Sequence, residues 1–186
     1  MNSRHHMPHI QSAPLRESSP SRRLAVIAML ASCGLILFVF ESFLPLLPWF
    51  RPGLGNIATI LALLYFGFGD AVKVTLLRVV LGALVLGRLF TPVFVFAIAG
   101  GLASVVVMGA ARRYAPVFGP VGISVLGAIA HNVVQLAAAY LIFVKSDELL
   151  IFMPLFTIAG VVTGAATGLV SAVIWEKSDG RVVTVS

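Results

Sequence analysis

Between Leu24 and Trp175 the chain is a succession of apolar stretches, several of them close to the roughly 20 residues that a helix needs to cross a bilayer. Polar landmarks mark off six: 24–47, 54–68, 71–86, 92–111, 119–144 and 149–175. The second and third are the shortest. A soluble domain carries roughly 25% charged residues. Here 11% of 186 residues are charged and 59% are hydrophobic, too little charge to coat a surface in water. Membrane-spanning strands would alternate in polarity over about ten residues, whereas Leu24 to Phe40 is an unbroken run of apolar and small residues. The expected fold is therefore all-α, a polytopic membrane protein with six transmembrane helices filling residues 22–176.

Residues 1–21 are different material, rich in Ser, Pro, His, Gln and Arg with hardly any periodic apolar content, and read as a disordered cytoplasmic tail. Residues 177–186 form a second short cytoplasmic tail. Alternating the six spans places Arg4, Arg16, Arg22, Arg23, Lys73, Arg112, Arg113, Lys177 and Arg181 on one side. Only Arg51, Arg88 and Lys145 fall on the other. By the positive-inside rule both termini face the cytoplasm, in the inner membrane of the cell. The net charge of +6 follows from this asymmetry and implies contact with anionic lipid rather than nucleic acid.

Ser21-Arg22-Arg23 before an apolar run resembles an export signal, and Leu30-Ala31-Ser32-Cys33 fits a lipoprotein-type cleavage pattern. The run continues past Cys33 without turning polar, so an uncleaved first helix is expected. Cys33 is the sole cysteine, which excludes an internal disulfide or a thiolate cluster.

Charged side chains are costly in hydrocarbon and need partners or a wet cavity. Arg78 lies mid-way along the third span, with Thr75 one turn before it and Gly82 one turn after on the same face. It reads either as an anchor for an anionic ligand group, through paired planar donors, or as the partner of Glu41 in a structural ion pair. Both hold if Glu41 orients Arg78 beside a pocket. Leu46 to Asn56 joins the first two spans on the outer side. There Pro48 and Pro52 stiffen the chain, Gly53 and Gly55 permit close backbone approach, and Trp49, Phe50 and Arg51 offer flat apolar surface beside a cation. This is a cap for a binding cavity or an interfacial aromatic anchor. Gly87-Arg88-Leu89-Phe90-Thr91-Pro92 repeats the combination on the same side.

His131, Asn132 and Gln135 cluster within the fifth span, suited either to helix-to-helix hydrogen bonds or to reading the polar edge of a ligand. A lone histidine without nearby carboxylate or thiolate ligands does not make a metal site. Gly160, Gly164 and Gly168 recur every fourth residue and make a smooth ridge for helix packing, and Ala99-Gly100-Gly101 permits a close crossing. The spans hold no paired catalytic carboxylates and no aspartate-rich Mg-diphosphate motif, and the chain has no P-loop, so any pumping needs an external driver and no enzyme activity is expected.

Trp49-Phe50-Arg51-Pro52-Gly53-Leu54 with Asn56, Thr75-Leu76-Leu77-Arg78-Val79, Ala99-Gly100-Gly101-Leu102 and Gly127-Ala128-Ile129-Ala130-His131-Asn132 with Gln135 together resemble the Gx transporter family, also called heptaprenyl diphosphate synthase component I. The resemblance covers about residues 22–176. It implies a likeness to the S components of energy-coupling factor (ECF) transporters, six-helix proteins that hold a small vitamin- or cofactor-like ligand near the outer face. A separate transmembrane subunit and ATPases would supply the energy. A flavin as transported ligand would suit an aromatic pocket with an arginine. The synthase name implies instead a non-catalytic membrane accessory subunit of a prenyltransferase in isoprenoid-quinone synthesis. The residues expected to bind substrate are Trp49, Phe50, Arg51, Asn56, Arg78, His131, Asn132 and Gln135.

Overall fold

The computed structural model describes residues 19–43, 53–115, 117–145 and 151–182. They form six helices in the expected order: α1 (Pro20–Glu41), α2 (Asn56–Phe66), α3 (Phe68–Val85), α4 (Pro92–Tyr114), α5 (Pro120–Ala139) and α6 (Met153–Val182). A π-helical turn, Tyr140–Val144, extends α5. Proline opens α1, α4 and α5, where its missing N–H costs nothing and its fixed φ already suits a helix. No strand occurs among the described residues.

Four helices, α1, α4, α5 and α6, are long and apolar enough to cross a membrane. Their outward residues include Leu24, Met29 and Ile36 on α1 and Leu155, Ile158, Val162 and Leu169 on α6, all exposed. An apolar exterior over several spanning helices makes this a multi-pass membrane protein. The expected second and third spans differ from the others. α3 has 18 residues but carries Asp70, Lys73 and Arg78. α2 has only 11 residues and is buried at every position except Ile57. At 1.5 Å per residue α2 is about 16 Å long, roughly half the hydrocarbon thickness. A helix apolar all round is a core helix as readily as a spanning one. Here α2 is the core: it packs against α1, α3 and α6, and its Ile60 and Leu63 lie in the main apolar cluster with Val74, Val105 and Met108.

α2 passes directly into α3 through Gly67, whose φ of +101° is a conformation that a side chain would strain. The Gly67 N–H bonds back to the carbonyls of Ala62 and Leu63 at 3.2 and 3.1 Å.

The closest packing is between α5 and α6. A Cβ added at Gly164 would come within 2.7 Å of Val125 Cα, and one at Gly168 within 2.7 Å of Val121 Cα. One at Gly160 would lie 3.2 Å from Ile129 N and 3.3 Å from Ala128 C. The ridge thus brings two backbones together, and Ser124 and Thr167 hydroxyls hydrogen-bond across it at 2.9 Å.

At the other side of the bundle an ion cluster ties α1 to α3. Arg23 Nε donates to Asp70 Oδ2 at 3.0 Å, and Lys73 Nζ donates to Asp70 Oδ1 at 3.0 Å. The Asp70 side chain is buried while both cations reach solvent. Asp70→Asn should lower unfolding stability by about 2 kcal/mol, since charge-assisted bonds contribute about 1.5–3 kcal/mol and exposed partners are screened. Denaturation of the purified protein in mild detergent, compared with wild type, measures this.

Candidate functional site

Arg78 sits on the inner face of α3, 3% exposed. Room for its side chain comes from glycines on two neighbouring segments. A methyl at Gly55, just before α2, would overlap Arg78 Nη1, and one at Gly34 on α1 would lie 3.5 Å from Arg78 Cδ. Nη2 donates to Asn56 Oδ1 at 2.6 Å, and Nε has no partner among the described residues. One turn earlier, the hydroxyls of Thr75 and Thr59 bond at 3.0 Å and fix α3 to α2 below the guanidinium. One turn later, Phe38 packs on Gly82.

Glu41, the last residue of α1, is 4% exposed and accepts a hydrogen bond from the N–H of Leu54 in the turn that leads into α2. From the other side, α5 lays His131 and Gln135 over Gly100 of α4; a Cβ there would meet His131 Nδ1 and Gln135 Cγ, each at 2.9 Å. Glu41, Asn56, Arg78, His131 and Gln135 line one cavity with Phe38 and Ala97. Its volume is about 10 Å³, which is on the order of one water. The polar groups are thus gathered in a tight cluster at the N-terminal end of α2. Arg88 borders a neighbouring small cavity that shares Phe38 and Ala97.

Four of the residues expected to bind substrate, Asn56, Arg78, His131 and Gln135, come together in this cluster, and Glu41 joins them. Asn132 turns the other way: its Nδ2 donates to the carbonyl of Phe156 on α6 at 2.8 Å, beside Gly160. Trp49, Phe50 and Arg51 lie outside the described residues. Cys33 is exposed on α1. Among the described residues no group of three or more His, Cys, Asp or Glu side chains converges.

The opposite end of α2 holds a feature that sequence reasoning missed. Arg112 of α4 donates through Nη1 to the carbonyl of Leu63 and through Nη2 to that of Leu64 at 3.2 Å, capping carbonyls that the end of a helix leaves open. Beside it opens a groove of about 400 Å³, lined by Leu64, Arg112, Phe118, Ile123, Trp175 and Glu176. Trp175 packs on Tyr65 with ring centroids 4.6 Å apart and the rings tilted by 41°. In the sequence Arg112 counted only toward membrane orientation. Its position at the end of an apolar helix was the available signal.

A family model described as heptaprenyl diphosphate synthase component I matches residues 30–174. No curated protein and no solved structure is significantly similar to the chain.

Proposed function

The chain belongs to the heptaprenyl diphosphate synthase component I family, and from this we propose that it is a non-catalytic membrane subunit that binds a small vitamin- or cofactor-like ligand in the Arg78 cluster for transport. Flavin is the ligand that an arginine beside aromatic residues would suit. In this reading α2 and α3 complete a six-segment transmembrane bundle in the inner membrane, with both termini cytoplasmic, and a separate energy-coupling subunit with ATPases drives it. The observation that carries the reading is Arg78, a guanidinium enclosed at the start of a half-length helix. Broken or half-length helices in transporters direct their positive N-terminal ends at anionic ligand groups, and buried charge inside a membrane is costly enough to call for a use. The cluster would have to widen to admit such a ligand.

Native mass spectrometry of the gently purified full chain tests it. A flavin-sized adduct is expected, and Arg78→Lys, which keeps the charge but loses the planar pair of donors, should reduce its occupancy about tenfold. An adduct that survives Arg78→Lys undiminished counts against the cluster as its site. The groove beside Arg112 favours a second reading, in which an accessory subunit of a prenyltransferase holds a hydrocarbon chain. A polyprenyl diphosphate adduct in place of flavin would support that reading.

A further inference from the structure

Resting on the reading of the Arg78 cluster as a ligand site, we propose that Glu41 is the site's resident anion: its carboxylate holds the place that a carboxylate or phosphate of the ligand takes, and so sets which ligand charge the site accepts. Glu41 is enclosed and takes the Leu54 N–H at the entry to α2, the end of that helix where the backbone favours negative charge. It also lines the cavity into which Arg78 projects. None of the other residues lining this cavity carries a carboxylate; the polar ones are Arg78 from α3, His131 and Gln135 from α5 and Asn56 from α2. Among the described residues, Glu41 is therefore the one carboxylate at the cavity.

A free volume of about 10 Å³ leaves no place for an organic anion beside Glu41. Crowding two anions onto one guanidinium would also be opposed by a Coulomb repulsion that grows as the dielectric falls. An anionic ligand therefore enters by displacing the Glu41 carboxylate from the Leu54 N–H and from its place beside Arg78 in the cavity. With its carboxylate in place, Glu41 turns anions away.

Thiol labelling of the full chain in detergent tests this without knowledge of the ligand. Cys33→Ala removes the native thiol, and Ala97→Cys places one at the cavity wall. The probes are two methanethiosulfonates of similar size, one with an anionic sulfonatoethyl group and one with a cationic trimethylammonioethyl group. Glu41→Gln should raise the anionic-to-cationic ratio of labelling rates by about tenfold, the scale of one charge removed near the thiol. Glu41→Ala should move the ratio the same way, and Glu41→Asp should leave it near the starting value. If both probes react and the ratio stays the same in Glu41→Gln and Glu41→Ala, the assignment of Glu41 fails while the ligand site stands. If neither probe reacts in any variant, the cavity does not open and both readings fall.

Discussion

Arg78→Met is expected to lower the unfolding free energy by about 3–5 kcal/mol, the cost of leaving one member of a buried charged cluster without its counterpart. Arg78 is enclosed, gives Asn56 its hydrogen bond and shares its cavity with Glu41, so removing the guanidinium takes the donor from an amide oxygen and the nearby positive charge from a carboxylate. Methionine keeps much of the side-chain volume, so the loss is electrostatic more than steric. Adding Glu41→Gln to Arg78→Met should recover a large part of the stability, because a neutral amide tolerates burial better than a carboxylate with no cation beside it. Unfolding of the purified protein in mixed micelles, followed by tryptophan fluorescence, reads Arg78→Met, Glu41→Gln and the double variant. Additive losses in the double variant would show that Glu41 and Arg78 are not coupled.

The second large effect is steric. Gly164→Val and Gly168→Val should each cost about 3 kcal/mol or more and together should prevent α6 from docking, since overpacking a filled interface costs about 1–3 kcal/mol even for small additions. At both positions the new Cβ would meet backbone Cα atoms of α5 at 2.7 Å, and backbone cannot rotate away as a side chain can. Separating the helices would also break the bond between Ser124 and Thr167. Gly119→Ala is the control, because a Cβ there meets nothing within 4 Å. Gly119 is the N-cap of α5, where Ala is a poorer cap than Gly, so a loss of about 1 kcal/mol at most is expected. Size-exclusion profiles and protease resistance of the variants in detergent distinguish these outcomes. A well-folded double valine variant would remove the ridge from the account of packing.

These two sites mark what the sequence made legible. Six apolar stretches reappear as six helices in order, because hydrophobic runs between polar landmarks record where the chain is withdrawn from water. The glycine spacing in α6 and the Gly100 crossing were readable because small residues at regular intervals have one plain use in a helix bundle. Arg78 stood out as a charge in an apolar context. The identity of its neighbours was less accessible. Asn132 and Gln135 are three residues apart on one helix, yet one bonds to α6 and the other faces Arg78's cavity. Which way each points depends on tertiary packing that periodicity does not encode. The link from Arg23 to Asp70 was hidden for another reason: an arginine near a helix start looks like a topology signal until its partner from another helix is seen. The length of α2 was obscured because an apolar run carries no mark of whether lipid or protein will surround it.

That short central helix has a mechanical consequence. Asn56 fastens its first turn to one arginine, and the carbonyls of Leu63 and Leu64 fasten its last turn to another. A hydrogen-bonded rod barely a dozen residues long hardly compresses along its axis. One rigid element thus spans the distance between the two arginine anchorages, so a shift of either end along the axis would carry the other with it.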